Sequence, residues 1–126
     1  MKKDIETRSD IDSLMVSFYR RATGDDVIGF IFTDVAHLDL EAHLPVIGDF
    51  WEAILFRSVN YRRRGRNPLQ LHGLLNDKVR LLPQHFEMWL EIFRKTVDEN
   101  FCGETADFLK LRAGAIATRM LEFVSS

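Results

Sequence analysis

Cysteine is almost missing from this chain. Cys102 is the single one in 126 residues, which excludes an internal disulfide framework and any site built from several thiolates. It reads as a small packed hydrophobe near a helix boundary. Long apolar runs are missing too: nothing approaches the ~20 residues needed to cross a bilayer, and the opening MKKDIETRSD lacks the apolar stretch of a signal peptide. A cytoplasmic protein with no membrane partner is the expectation. Nor is there an excess of one charge. Lys and Arg number 17 against 19 Asp and Glu, a formal net charge of -2, and a main partner made of nucleic acid would call for a broad basic surplus.

What is present is the composition of one globular unit, 46% hydrophobic and 29% charged. No repeat, low-complexity tract or long linker divides it. The expectation is a single domain over residues 1–126, with 1–9 as a loosely ordered N-terminal extension. No stretch alternates as a half-buried strand would, whereas helical spacing recurs along the chain. Ile11, Leu14, Met15, Phe18 and Ala22 share one face, with Asp10 as candidate N-cap and Gly24 as candidate stop. Asp25 and Asp26 suit the cap of a short turn that carries Val27, Phe30 and Phe32 inward. Leu44, Ile47, Trp51 and Ile54 draw a second stripe, with Pro45 expected in its first turn. Pro68 opens a short helix through Leu69, Leu71, His72 and Leu75 after a polar stretch. Pro83 suits the first position of a longer helix faced by Phe86, Trp89, Phe93 and Val97. After Gly103, Leu109, Ala113, Ile116, Met120 and Phe123 keep the same spacing to the end. The fold class expected is all-α.

Two segments carry chemistry. HLPVIGDFW (His43 to Trp51) and LQLH (Leu69 to His72) each set one histidine among apolar and aromatic residues, and neutral imidazole is well suited to ligate or face haem iron. On pattern alone, His72 is as readily an ordinary half-exposed helix residue beside Leu71. His37 reads as a solvated loop residue, and His85, beside Pro83, as a capping or surface residue.

Five segments in order resemble the truncated haemoglobins, and most closely their third group: SFYRRATGDDVIGFIF (Ser17 to Phe32), HLPVIGDFW, PLQLH, HFEMWLEIF (His85 to Phe93) and TVDENFCG (Thr96 to Gly103). The resemblance covers nearly the whole chain and implies a shortened globin fold, a helical sandwich around haem b (protohaem IX, iron). It implies His72 as the proximal iron ligand. It also sets Tyr19, His43 and Trp89 around a bound gas, with Phe32 and Ile47 as apolar wall and with Phe50, Trp51, Leu71 and Phe93 packing the porphyrin or the helix interface. A Tyr hydroxyl and an indole N–H can each stabilise the charge that dioxygen draws onto its oxygens. His43 either closes this pocket or swings out as a gate. The run Tyr61-Arg62-Arg63-Arg64-Gly65-Arg66 departs from the family pattern by being longer and basic. It reads first as a solvated loop, with Tyr61 and one arginine gripping the haem propionates as the more specific option.

The function implied is reversible binding of dioxygen, nitric oxide or another diatomic gas, in oxygen handling or transport or in detoxification of nitric oxide and reactive species. Nitric oxide dioxygenation would need a separate reductase, since no segment resembles a flavin or nicotinamide site. Peroxidase-like chemistry, a haem-based gas or redox sensor, and a haem-free helical interaction module are the other readings, the last opposed by the presence of His72, Tyr19 and Trp89.

Overall fold

The computed structural model describes residues 2–32, 39–56 and 81–125. Among these are four long helices: α1 (Arg8–Thr23), α2 (Leu40–Phe56), α3 (Pro83–Asn100) and α4 (Glu104–Ser125). The only β feature among the described residues is an isolated parallel bridge between Lys3 and Phe101, so the expected all-α class holds. The Pro68 helix, His37 and the arginine loop lie outside the described residues.

α1 forms where the spacing predicts it and buries Ile11, Leu14, Met15, Phe18, Tyr19 and Ala22. Its start differs from the expectation. Thr7, not Asp10, is the N-cap, and the two form a capping box: the Thr7 hydroxyl accepts from the Asp10 amide at 3.2 Å while the Asp10 carboxylate accepts from the Thr7 amide at 3.1 Å. Asp10 therefore occupies the third helical position, where its charge also favours the helix N-terminus. Gly24 is the C-cap, as its place in the sequence suggests. Asp25 then accepts from the amides of Val27 and Ile28 at 2.8 and 3.0 Å, which caps the expected turn. That turn buries Ile28 and Ile31, while Phe30 points outward and Val27 and Phe32 are only partly covered. A stretch this short is too brief for a periodic stripe to identify its inner face.

α2 begins earlier than expected, because Asp39 accepts from the Ala42 amide through its side chain and from the His43 amide through its carbonyl. Pro45 thus lies inside the helix and not in its first turn. Lacking an N–H, it leaves the Glu41 carbonyl without its helical donor. Pro83 does open α3, whose buried side holds Phe86, Phe93, Thr96 and Val97 with Trp89 half-buried. α4 buries Ala106, Leu109, Ala113, Ala117 and Met120, whereas Phe123 stands exposed, against expectation.

α1 is the shared element: it packs against α2 on one side and α3 on another, and α4 packs on α3. Their inward side chains merge into a single core, with Phe18, Trp51 and Phe93 among its largest fully buried members. Burying one such aromatic contributes on the order of 2 kcal/mol. The first residues join this core. Ile5 is buried, and Asp4 accepts from the amides of Thr105 and Ala106 at 2.9 and 2.8 Å, supplying from a distant part of the chain the cap that α4 lacks locally. Cys102 departs from its packed reading. It is exposed, because Phe101 turns into the core and the next side chain along extended backbone faces the other way.

Candidate functional site

α1 and α2 face each other with a polar pair set into an apolar surround. Tyr19, on the buried face of α1, brings its hydroxyl to 2.8 Å from Nε2 of His43 in the first turn of α2. Their rings meet edge to face at 5.2 Å, and Phe32 closes against the tyrosine at 5.9 Å. Tyr19 is buried, and the loss of water around it pushes its hydroxyl well above the usual phenol range. The phenol is therefore protonated at any physiological pH. It either donates to an unprotonated Nε2 or accepts from Nε2–H, and in the second case its own hydrogen is left to point elsewhere.

An aromatic stack continues from this pair. Phe18 lies edge-on to Tyr19 at 5.0 Å, to Phe93 at 5.3 Å and to Trp89 at 5.8 Å, and Trp89 stacks on Phe93 at 5.2 Å. Trp51 lies 5.3 Å from Phe93, and Phe50 packs 5.0 Å from Trp51. Edge-to-face and offset arrangements like these add about 0.5–1.5 kcal/mol each beyond simple burial, so the donors at this end of the molecule stand on a stiff aromatic base. Among the described residues the indole N–H of Trp89 has no hydrogen-bond acceptor. Ile47 and Phe50 are half-buried along the same stretch of α2.

The structure thus brings together Tyr19, Phe32 and His43 directly, and connects Trp89, Phe93, Trp51 and Phe50 to them through ring contacts. His72, Tyr61 and Leu71 lie outside the described residues. His85 accepts from the Leu82 amide at 3.0 Å through Nδ1 and meets Phe30 edge-on, which makes it the capping residue its position suggested. Two hydrogen-bond donors, one of them lacking an acceptor among the described residues, both on rings that contact Phe18, form a donor set suited to a flat apolar prosthetic group and a small polar ligand on it.

The sequence reading missed a second polar cluster between α1 and α2. Arg8 bonds Asp49, Glu52 and the Pro45 carbonyl on α2 at 2.6, 3.1 and 3.1 Å, and Asp12 on its own helix at 2.9 Å. The available signal was Asp49, a charged residue on the same stretch as the buried Trp51.

No protein-family profile matches the chain. A search among curated proteins finds "Group 3 truncated hemoglobin ctb" of Campylobacter jejuni, 28% identical over 122 residues that cover 94% of this chain and 91% of that protein. Among solved structures, the group III truncated hemoglobin from Campylobacter jejuni superposes with a TM-score of 0.83 at 26% identity, covering 98% of this chain and 95% of the other. In both sequence and backbone, over nearly the full length of each protein, the chain is similar to a truncated haemoglobin of the third group.

Proposed function

We propose that the chain binds haem b with His72 as the iron ligand and reversibly holds dioxygen or another diatomic gas on the side faced by Tyr19, His43 and Trp89. The observation that carries this reading is the buried Tyr19 hydroxyl, paired with His43 at 2.8 Å and joined through Phe18 to an indole N–H free of an acceptor among the described residues. When bound, the haem iron supplies the coordination position for the gas. The chain's own residues supply the rest. His43 orients the Tyr19 hydroxyl, and with Nε2–H as donor it leaves the phenolic hydrogen free to bond a small electronegative ligand. Trp89 offers a second donor fixed in direction by its stack on Phe93. Phe18, Phe32 and Ile47 keep water away, which strengthens each of these bonds relative to solvent.

A fixed pair of neutral donors slows release of a ligand that carries partial negative charge, and this favours retention of dioxygen. Oxygen handling and nitric oxide detoxification both draw on that property, and the second takes its electrons from a separate reductase. Absorption spectra of the purified, haem-supplemented protein, reduced without air and then exposed to it, test the reading. One haem per chain and a reversible change on aeration are expected, with His72→Ala losing stoichiometric haem or normal gas binding. Failure of the native chain to take up haem would overturn the proposal.

A further inference from the structure

Three of the four hydrogen bonds made by Arg8 cross from α1 to α2. Burial of the guanidinium works against its charge, but hydrogen bonds and attraction from Asp12 and Asp49 outweigh this and hold its pKa above the ordinary arginine value. Asp49 is itself only 2% exposed, so the ion pair is a fixed joint and not a solvated surface contact. Gly48 makes the joint possible. A Cβ there would lie 2.6 Å from Nη2 and 2.8 Å from Nε of Arg8, and 2.7 Å from the Asp12 carboxylate.

Another polar contact between the same helices is Tyr19 with His43, eleven residues further along α1, or about 16 Å at 1.5 Å per residue. One joint fixes the distance between two helices, whereas two joints so far apart also fix the angle at which they cross. On α2, Pro45 follows His43 by two residues and separates it from the Asp49 and Glu52 ends of the Arg8 joint. Because it gives no N–H to Glu41, the turn that carries His43 is joined to the remainder of the helix by one hydrogen bond fewer than usual. The docking of that remainder onto α1 therefore governs where the turn comes to lie, and Arg8 grips it at the Pro45 carbonyl itself.

We propose that Arg8 is a positioning residue for His43: by binding the Pro45 carbonyl, Asp49 and Glu52 from α1, it sets α2 at the angle that holds His43 against the Tyr19 hydroxyl. The consequence for gas release rests on the distal-pocket reading above, while the effect on the Tyr19–His43 pair does not.

The test uses the full chain labelled with ¹⁵N-histidine, in native form and as Arg8→Gln, Gly48→Ala and Tyr19→Phe. Gly48→Ala keeps the arginine but takes the space its guanidinium needs, and it carries the test if Arg8→Gln does not fold. The His43 ring-nitrogen resonances, assigned with His43→Gln, are read in the reduced, carbon monoxide-saturated holoprotein. Arg8→Gln and Gly48→Ala are expected to shift them in the direction Tyr19→Phe does and to add nothing further in the Tyr19→Phe background. Dioxygen release should quicken in the same two variants by about two- to fivefold, within the roughly tenfold that one net hydrogen bond carries. Unmoved His43 resonances together with a lowered unfolding midpoint would overturn the proposal and leave Arg8 a structural tie only. If the native chain takes up no haem, the functional reading fails separately, and the same resonances in the haem-free chain still decide the role of Arg8.

Discussion

Removing the Asp4 carboxylate tests how much of the stability of α4 depends on a cap from the far end of the chain. Asp4→Ala deletes the hydrogen bonds that the carboxylate accepts from the amides of Thr105 and Ala106 at the start of α4 and from the adjoining Ile5 amide, and one negative charge at a helix N-terminus. A lost N-cap side chain costs about 1 kcal/mol and the charge about 0.5 kcal/mol more. The site is partly open to water, which can bond the freed amides, so about 1–2 kcal/mol is the expected loss. With an unfolding entropy of ~2.1 cal/mol/K per residue over a chain of this length, that loss lowers the thermal midpoint by about 4–8 °C. Circular dichroism at 222 nm on native and variant proteins measures it. The pH dependence gives a second check. Burial pushes the Asp4 carboxyl up, but hydrogen bonds from Thr105, Ala106 and Ile5 outweigh it and hold its pKa below the ordinary 3.8. A depressed folded pKa means that the contribution is complete above the unfolded value and disappears as pH falls through the folded one. The gap between native and variant midpoints should therefore be widest near neutrality and close below the ordinary carboxylate range. Equal midpoints at pH 7, or a gap that stays constant into acid, would refute the capping argument.

Gly103→Ala addresses the same junction from the other side: a Cβ there would fall 2.5 Å from the Asp4 Cγ at a backbone φ of +141°. A loss of about 2 kcal/mol is expected, and chemical denaturation of the double variant with Asp4→Ala should show a loss smaller than the sum of the two single ones. Tyr19→Phe should raise the dioxygen release rate by about two- to tenfold with little effect on folding. Stopped-flow displacement measures the rate, and an unchanged value would remove Tyr19 from ligand stabilisation.

The helices were legible where a long stripe repeats. All five apolar residues marked on α1 are buried, and so are Phe86, Phe93 and Val97 on α3, since a face of three or more turns leaves one solution for what lies inside. Short or capped stretches were less legible. Ile28 and Ile31 displaced Phe30 from the interior of a single turn, and Asp39 started α2 early enough to place Pro45 inside it. In both cases a local hydrogen bond chose the frame, and periodicity carries no information about that choice. Tyr19, Phe32 and His43 were assembled only by resemblance to a family, because residues on separate helices have no spacing rule. The Arg8 joint was invisible for the same reason: its partners Asp49 and Glu52 lie 41 and 44 positions away.

The tie between Asp4 and α4 also bears on the order of events during synthesis. The carboxylate leaves the ribosome well ahead of the amides it meets, which lie 101 and 102 positions later. At about 5–20 residues per second, that stretch of translation lasts several seconds or more, far longer than a helix needs to form. α1 can fold and pair with α2 in that time, while Ile5 and Asp4 wait uncovered for a surface not yet made. Closing so large a loop is a late step, and the nascent chain must carry the segment around Asp4 as a loose end until the start of α4 has emerged.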